Sequence, residues 1–296
     1  MARIGFIGVG VMGREMVPNL LKAGHRVSVF DVNIKAAEKL RDDGAELALS
    51  VADAVRDAEV AITMLPDTPH VQAVLLGTDG ILATPPAGRI VVDMSTISPQ
   101  ATRDMNAALA KAGVAMLDAP VSGGPQGAKN ATLSIMVGGD RTALERARPV
   151  LAAMGTTIVH MGDSGAGQVT KLCNQLVVGI NLQAVCEALA LGRASGVDLY
   201  KLRDALLGGS AASWMMQHLA PKMIAKDDSA GFRIDLMLKD LRLAGELAFA
   251  LGMPLPGNAL VTSLFLEARA HGEGEKGNQA LYRVYDRLCN QENKAP

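Results

Sequence analysis

Gly8-Val9-Gly10-Val11-Met12-Gly13 follows directly on the apolar run Ile4-Gly5-Phe6-Ile7 and opens onto Gly10 to Ala23, where polar and apolar residues mix at helical spacing. Gly24 closes that stretch as a helix carboxyl-terminal cap, and Arg26 to Phe30 forms a second β-rich run, so the segment reads as one βαβ unit. In that setting each glycine has a task. Gly8 permits the tight turn, Gly10 lets backbone approach a pyrophosphate, and Gly13 lets the helix pack on the strand. The helix amino terminus turns its N–H groups toward an anion. Gly8, Gly10, Val11, Met12 and Gly13 are therefore expected to cradle a dinucleotide. A glycine turn without a ligand is the alternative, and the flanking strand and helix argue against it.

Asp31 stands at the end of the second strand, 18 residues past Gly13, where a carboxylate accepts hydrogen bonds from adenosine ribose hydroxyls. A 2′-phosphate would face that carboxylate, and Val32-Asn33-Ile34 supplies no arginine to compensate, so NAD is expected over NADP. Taken alone, Asp31 could also be a solvated turn aspartate ahead of Asn33.

Working outward, Val60 to Met64, Arg89 to Asp93 and Ala115 to Leu117 continue the alternation of strands and helical stretches, and Ser134 to Val137 and Thr157 to His160 could extend the same sheet. This rhythm predicts an α/β Rossmann domain, a doubly wound parallel sheet with helices on both faces. From Gly165 the pattern becomes helical. Val169, Leu172, Leu176 and Ile180 suggest one buried stripe, and Met237, Leu241, Ala244, Ala248 and Leu251 another. A helix from about Gly167 to Ala194 would form the spine of an all-helical domain. The expected division is residues 1–162 for the dinucleotide-binding domain and 163–296 for a helical substrate and oligomerisation domain.

Composition excludes other classes. With 29 Lys and Arg against 30 Asp and Glu, and aromatics at 3%, the chain lacks the basic, aromatic-studded surface that nucleic acid requires. Leu176 to Leu191 is apolar but carries Asn181, Gln183 and Glu187, which suits a buried helix better than a membrane span. Met1 to Gly13 has no long apolar region and reads as the first strand and turn rather than a secretory leader. Cys173, Cys186 and Cys289 are odd in number and lack metal-ligand spacing, as expected of free thiols in a reducing cytoplasm with no bound metal.

Gly165-Ala166-Gly167-Gln168-Val169-Thr170-Lys171-Leu172-Cys173-Asn174 lies in the spine helix and puts Lys171 and Asn174 on one face. An ammonium there can protonate a substrate oxygen while the amide orients it. By spacing alone, a lysine on an apolar helix is more often a snorkelling surface group.

Together with the fingerprint at 8–13, Ile62-Thr63-Met64-Leu65-Pro66, Asp93-Met94-Ser95-Thr96-Ile97, Asp118-Ala119-Pro120-Val121-Ser122-Gly123-Gly124 and Lys239-Asp240-Leu241, this segment makes nearly the whole chain resemble the β-hydroxyacid dehydrogenases. That family includes 3-hydroxyisobutyrate dehydrogenase and 2-hydroxy-3-oxopropionate (tartronate semialdehyde) reductase. The resemblance implies an active site in the cleft between a Rossmann domain and a helical domain, and a homodimer or tetramer. It makes Lys171 the catalytic acid/base, Asn174 its companion, and Ser122, Gly123 and Gly124 the binders of a substrate carboxylate. Consecutive backbone N–H groups near glycine do form anion-binding concavities, although Pro120 to Gly124 could by turn chemistry alone be a structural turn. Met64, Leu65, Pro66 and Thr96 fall beside the cofactor, with Lys239 near it and Phe232 as a wall by the nicotinamide. The alternatives are an exposed Lys239 paired with Asp235 and a plain core phenylalanine.

The implied reaction interconverts a small 3-hydroxy acid and its semialdehyde. Gly231-Phe232-Arg233-Ile234-Asp235-Leu236 favours tartronate semialdehyde, whereas Ser213-Trp214 and Leu236-Met237 lean toward 3-hydroxyisobutyrate. A catalytically silent NAD-binding regulator and an imine reductase are the rivals; the retained Lys171 argues against both.

Overall fold

The computed structural model describes residues 1–83 and 88–289. The chain divides into two compact units, Met1–Lys171 and Leu172–Pro296.

The first unit is built on one nine-stranded sheet: β1 (Arg3–Ile7), β2 (Arg26–Phe30), β3 (Glu46–Leu47), β4 (Val60–Thr63), β5 (Ile90–Asp93), β6 (Ala115–Asp118), β7 (Val121–Ser122), β8 (Leu133–Gly139) and β9 (Gly155–Gly162). Six strands lie parallel in the order β3-β2-β1-β4-β5-β6. The chain reverses its winding between β1 and β4, the switch point where open α/β sheets bind ligands at the carboxyl ends of their strands. β8 runs antiparallel to β6 and β7, and β9 pairs parallel to β8.

The central strands alternate their side chains between two apolar layers. Ile4, Phe6, Val60, Ile62, Ile90 and Val92 enter one cluster with Met16, Val17 and Leu20 of helix Gly13–Lys22. Ile7, Ala61 and Val91 enter the other, with Val71 and Leu75 of helix Thr68–Leu76 and Met105 and Leu109 of helix Pro99–Lys111. Both faces are thus covered, which is why these strands read as nearly continuous apolar runs.

The second unit is helical. Leu182, Val185 and Leu189 pack with Met237, Leu241, Val261, Phe265 and Tyr285 in its core. Apart from an isolated bridge between Arg233 and Gly277, no β pairing follows Gly162 among the described residues.

Two particulars differ from the sequence reading: Leu251, expected on the second buried stripe, lies just past helix Ile234–Ala250 and is 69% exposed, and the first stripe is shifted. The expected stripe through Val169 and Ile180 is displaced: Ile180 is 39% exposed, and the buried face of helix Ala166–Ala194 runs through Gln168, Lys171, Leu172, Gln175, Leu182, Cys186 and Leu189. Apolarity alone misplaced the face because two buried glutamines, each hydrogen-bonded, occupy its centre. By compactness the division falls at 171/172, inside helix Ala166–Ala194.

Candidate active site

In the first unit the fingerprint has the shape a dinucleotide requires. Gly8 holds φ +96°, and a Cβ there would meet Met64 O at 2.4 Å. A Cβ on Gly13 would meet Gly8 O at 2.2 Å, so the helix could not approach the strand. At Gly10, by contrast, a Cβ would touch nothing within 4 Å, leaving that backbone open to a phosphate. Met12 makes no side-chain cap on the helix that follows. Asp31 accepts from Val9 N through Oδ2 and from Asn33 N through Oδ1, both at 2.8 Å. The second bond is the turn interaction expected of an aspartate before Asn33. The first ties the carboxylate to the glycine turn, and each oxygen keeps a lone pair for a ribose hydroxyl.

The loops after β4 and β5 interlock beside this turn. Leu65 N donates to Ser95 Oγ at 2.9 Å, Ser95 N to Asp93 Oδ1 at 3.1 Å, and Thr63 Oγ1 to the same Asp93 oxygen at 2.8 Å. Asp93 is fully buried, and desolvation pushes its carboxyl up to about 6 against the opposing hydrogen bonds from Ser95 and Thr63. Met64-Leu65-Pro66 and Thr96 therefore belong to one hydrogen-bonded ledge next to Gly8.

Asp118, at the end of β6, reaches the start of the spine helix, accepting from Gly165 N at 2.8 Å and from Gln168 N at 2.9 Å. Burial raises its pKa and these backbone donors oppose the rise. The approach is close enough that a Cβ on Gly167 would sit 2.4 Å from Met136 O. One turn further along, Lys171 is only 7% exposed, which sets aside the snorkelling surface lysine. Four residues after Asp118, Ser122 ends the short strand paired with Ser134, and Gly123 and Gly124 follow with φ of +129° and +61°. Two consecutive positive φ values mark a tight turn that residues with a Cβ would adopt only under strain.

The second unit holds Asn174, Phe232 and Lys239. Asn174 Nδ2 donates to Gln175 Oε1 at 2.8 Å, Gln175 Nε2 to Asp240 Oδ2 at 2.6 Å, and Lys239 Nζ lies 2.9 Å from Asp240 Oδ1. Lys239 thus turns toward a buried acid rather than standing as an exposed helix residue. Phe232 packs, half-buried, against the apolar cluster of this unit. Gln168, Gln175, Asp118 and Asp240 were not singled out by the sequence. Their signal was polar residues on buried helix faces, with Asp118 closing an apolar strand.

A glycine-turn dinucleotide cradle combined with a buried lysine on the helix docked at the strand ends defines a dinucleotide-dependent dehydrogenase. Residues 3–162 match the family model of the NAD-binding domain of 6-phosphogluconate dehydrogenase, and residues 165–285 match that of the NAD-binding domain of NADP-dependent 3-hydroxyisobutyrate dehydrogenase. An NAD-dependent L-serine dehydrogenase of Pseudomonas aeruginosa is 41% identical over 293 residues, 97% of this chain and 98% of its own. The 2-hydroxy-3-oxopropionate reductase of Escherichia coli is 38% identical over 288 residues, 97% of this chain and 98% of its own. Among solved structures, a Mycobacterium tuberculosis 3-hydroxyisobutyrate dehydrogenase with L-serine superposes with a TM-score of 0.88 at 35% identity, covering 97% of this chain and 99% of that one. The chain belongs to the β-hydroxyacid dehydrogenase family, and it is an NAD-dependent enzyme acting on the hydroxyl group of a hydroxy acid.

Proposed function

We propose that the chain interconverts a compact 3-hydroxy acid and its semialdehyde, with tartronate semialdehyde (2-hydroxy-3-oxopropionate) as first substrate and 3-hydroxyisobutyrate or its semialdehyde next. The observation that carries this reading is the burial of Lys171 one turn beyond the point where Asp118 and Gln168 fasten its helix to the strand ends. An ammonium held at a fixed place on a docked helix turn can give a proton to a substrate oxygen brought beside it.

In the reductive direction the nicotinamide, when bound, supplies hydride to the aldehyde carbon. Lys171 Nζ gives a proton to the carbonyl oxygen as negative charge develops there, and in oxidation it takes the hydroxyl proton instead. The Ser122 hydroxyl and the backbone N–H groups of Gly123 and Gly124 hold the carboxylate. The Gln175–Asp240 pair steadies the Asn174 amide, which orients the reacting oxygen.

The segment from Gly231 to Leu236 resembles that of the tartronate semialdehyde reductases, which puts tartronate semialdehyde first, whereas Ser213-Trp214 and Leu236-Met237 resemble the hydroxyisobutyrate enzymes, which come next. The relatives act, by name, on L-serine and on 2-hydroxy-3-oxopropionate, and these molecules share a carboxylate with the reacting carbon β to it. One methylene or hydroxyl in such a pocket is worth about 1–3 kcal/mol, so a few wall residues decide among them.

A homo-oligomer, dimer or tetramer, is part of the same reading; Phe249 at 91% exposed, with Leu251 and Met253, leaves apolar surface on the second unit for another subunit. Its three free cysteines support a reducing, cytoplasmic setting.

Measuring kcat/KM with NADH for tartronate semialdehyde, for the semialdehyde of 3-hydroxyisobutyrate and for an aldehyde lacking the carboxylate tests the assignment. The first is expected to lead. Equal efficiency with the carboxylate-free aldehyde would remove the anion site from the account.

A further inference from the structure

Gln168 is completely buried on the first turn of helix Ala166–Ala194, one turn before Lys171. Its amide is used at both ends. Nε2 donates to Ser95 O at 2.8 Å, and Oε1 accepts from Ile97 N at 3.1 Å. These two bonds close on either side of Thr96, taking hold of the residue before it and the residue after it. Ser95 is itself tied by its hydroxyl to Leu65 N and by its own N–H to Asp93. The Gln168 backbone N–H is occupied separately by Asp118. One side chain therefore joins the loop carrying Thr96 to the helical turn carrying Lys171.

A leucine or methionine would fill this volume equally well, but it would leave Ser95 O and Ile97 N buried with no partner. An amide offers, without ionising, a donor and an acceptor at the spacing needed to span a single residue of extended loop.

We propose that Gln168 is a positioning residue for catalysis: it locks Thr96 in register with Lys171, so that the cofactor ledge and the proton-transfer group hold one geometry. The proposal rests on the reading of Lys171 and Thr96 given above. It assigns Gln168 no contact with substrate or cofactor.

Three variants test it, Gln168→Met, Gln168→Glu and, as reference, Lys171→Ala, using steady-state kinetics, NADH binding by fluorescence and hydrogen exchange of the Ile97 amide. In Gln168→Met, kcat is expected to fall roughly 10- to 100-fold, the scale of a misplacement of about 1 Å, with the substrate KM and NADH Kd changed less than about threefold. The Ile97 amide, expected to be protected in the unaltered protein by its bond to Gln168 Oε1, is expected to exchange at least about tenfold faster in this variant. Gln168→Glu gives a sharper sign. An ionised carboxylate cannot donate to Ser95 O, whereas the neutral acid restores both bonds. The ratio of its kcat to that of the unaltered enzyme is therefore expected to rise as pH falls from 8 to about 5.5. Asp93, Asp118 and Lys171, the ionisable groups nearest Gln168, are present in both proteins, so their own pH dependence enters both terms of the ratio.

A melting temperature lowered with kcat unchanged, or a pH-independent ratio, would overturn the proposal. So would exchange of Ile97 in the unaltered protein at the rate of an open loop, a measurement that needs no variant to fold. If Lys171→Ala is inactive while Gln168→Met is fully active, the positioning role alone fails; turnover retained in Lys171→Ala removes the reading beneath it.

Discussion

Replacing Asp118 with alanine strips two acceptors from the start of the helix that carries Lys171. Gly165 N and Gln168 N, bonded to its carboxylate at 2.8 and 2.9 Å, would be left facing a buried space with no partner. Each orphaned donor costs about 1–3 kcal/mol, and bonds to a charged acceptor lie toward the upper end. Against this stands the desolvation of the carboxylate, visible in its raised pKa, which alanine relieves. The net loss is expected at about 2–4 kcal/mol. For a unit the size of Met1–Lys171, at roughly 2–4 °C per kcal/mol, that corresponds to a transition lowered by about 5–15 °C. Asp118→Asn retains one acceptor oxygen and turns an N–H toward the other donor, so it should fall between. Differential scanning calorimetry of the three proteins, with kcat measured well below each transition, gives the comparison. An alanine variant melting within about 1 °C of the unaltered protein, with full activity, would refute the claim that Asp118 fastens the helix.

Other consequences follow from the same geometry. Asp93 has its folded pKa raised from 3.8 to about 6, so its contribution to stability is full below pH 4 and is lost as pH rises through 6. At 1.36 kcal/mol per unit the loss is about 3 kcal/mol, and Asp93→Asn should flatten it; identical pH profiles of denaturation would contradict the burial argument. Asp31 predicts that kcat/KM with NADH exceeds that with NADPH, and Asp31→Ala combined with Val32→Arg should shift the preference toward NADPH. Equal use of both cofactors by the unaltered enzyme would count against this. Because Asp31 also holds Val9 N, Asp31→Ala alone should weaken NADH binding rather than merely relax the choice.

How far the sequence could be read depended on the range of the interactions involved. β1 was legible within one residue and β2 to the residue because each is a β-rich run beside a glycine turn, and the helix that begins at Ala166 was placed within one residue. β3 and β7, of two residues each, carry too little pattern to stand out and exist because a neighbouring strand pairs with them. The fingerprint and Lys171 were visible as local motifs. The Asp118 bonds to Gly165 and Gln168, and the Gln168 clamp around Thr96, join residues far apart in the chain, and no periodicity announces them. The misplaced stripe has the same origin: reading apolar residues as the buried face fails where buried amides find partners on another element.

The central claim is that Lys171 moves the proton. Lys171→Ala, assayed with NADH and tartronate semialdehyde under saturating conditions and checked for NADH binding, tests it most directly. The account expects kcat to drop by at least about a hundredfold, since positioned proton transfer contributes 10²- to 10⁴-fold, while NADH binds with nearly unchanged affinity. Turnover retained within about threefold, with binding intact, would contradict it.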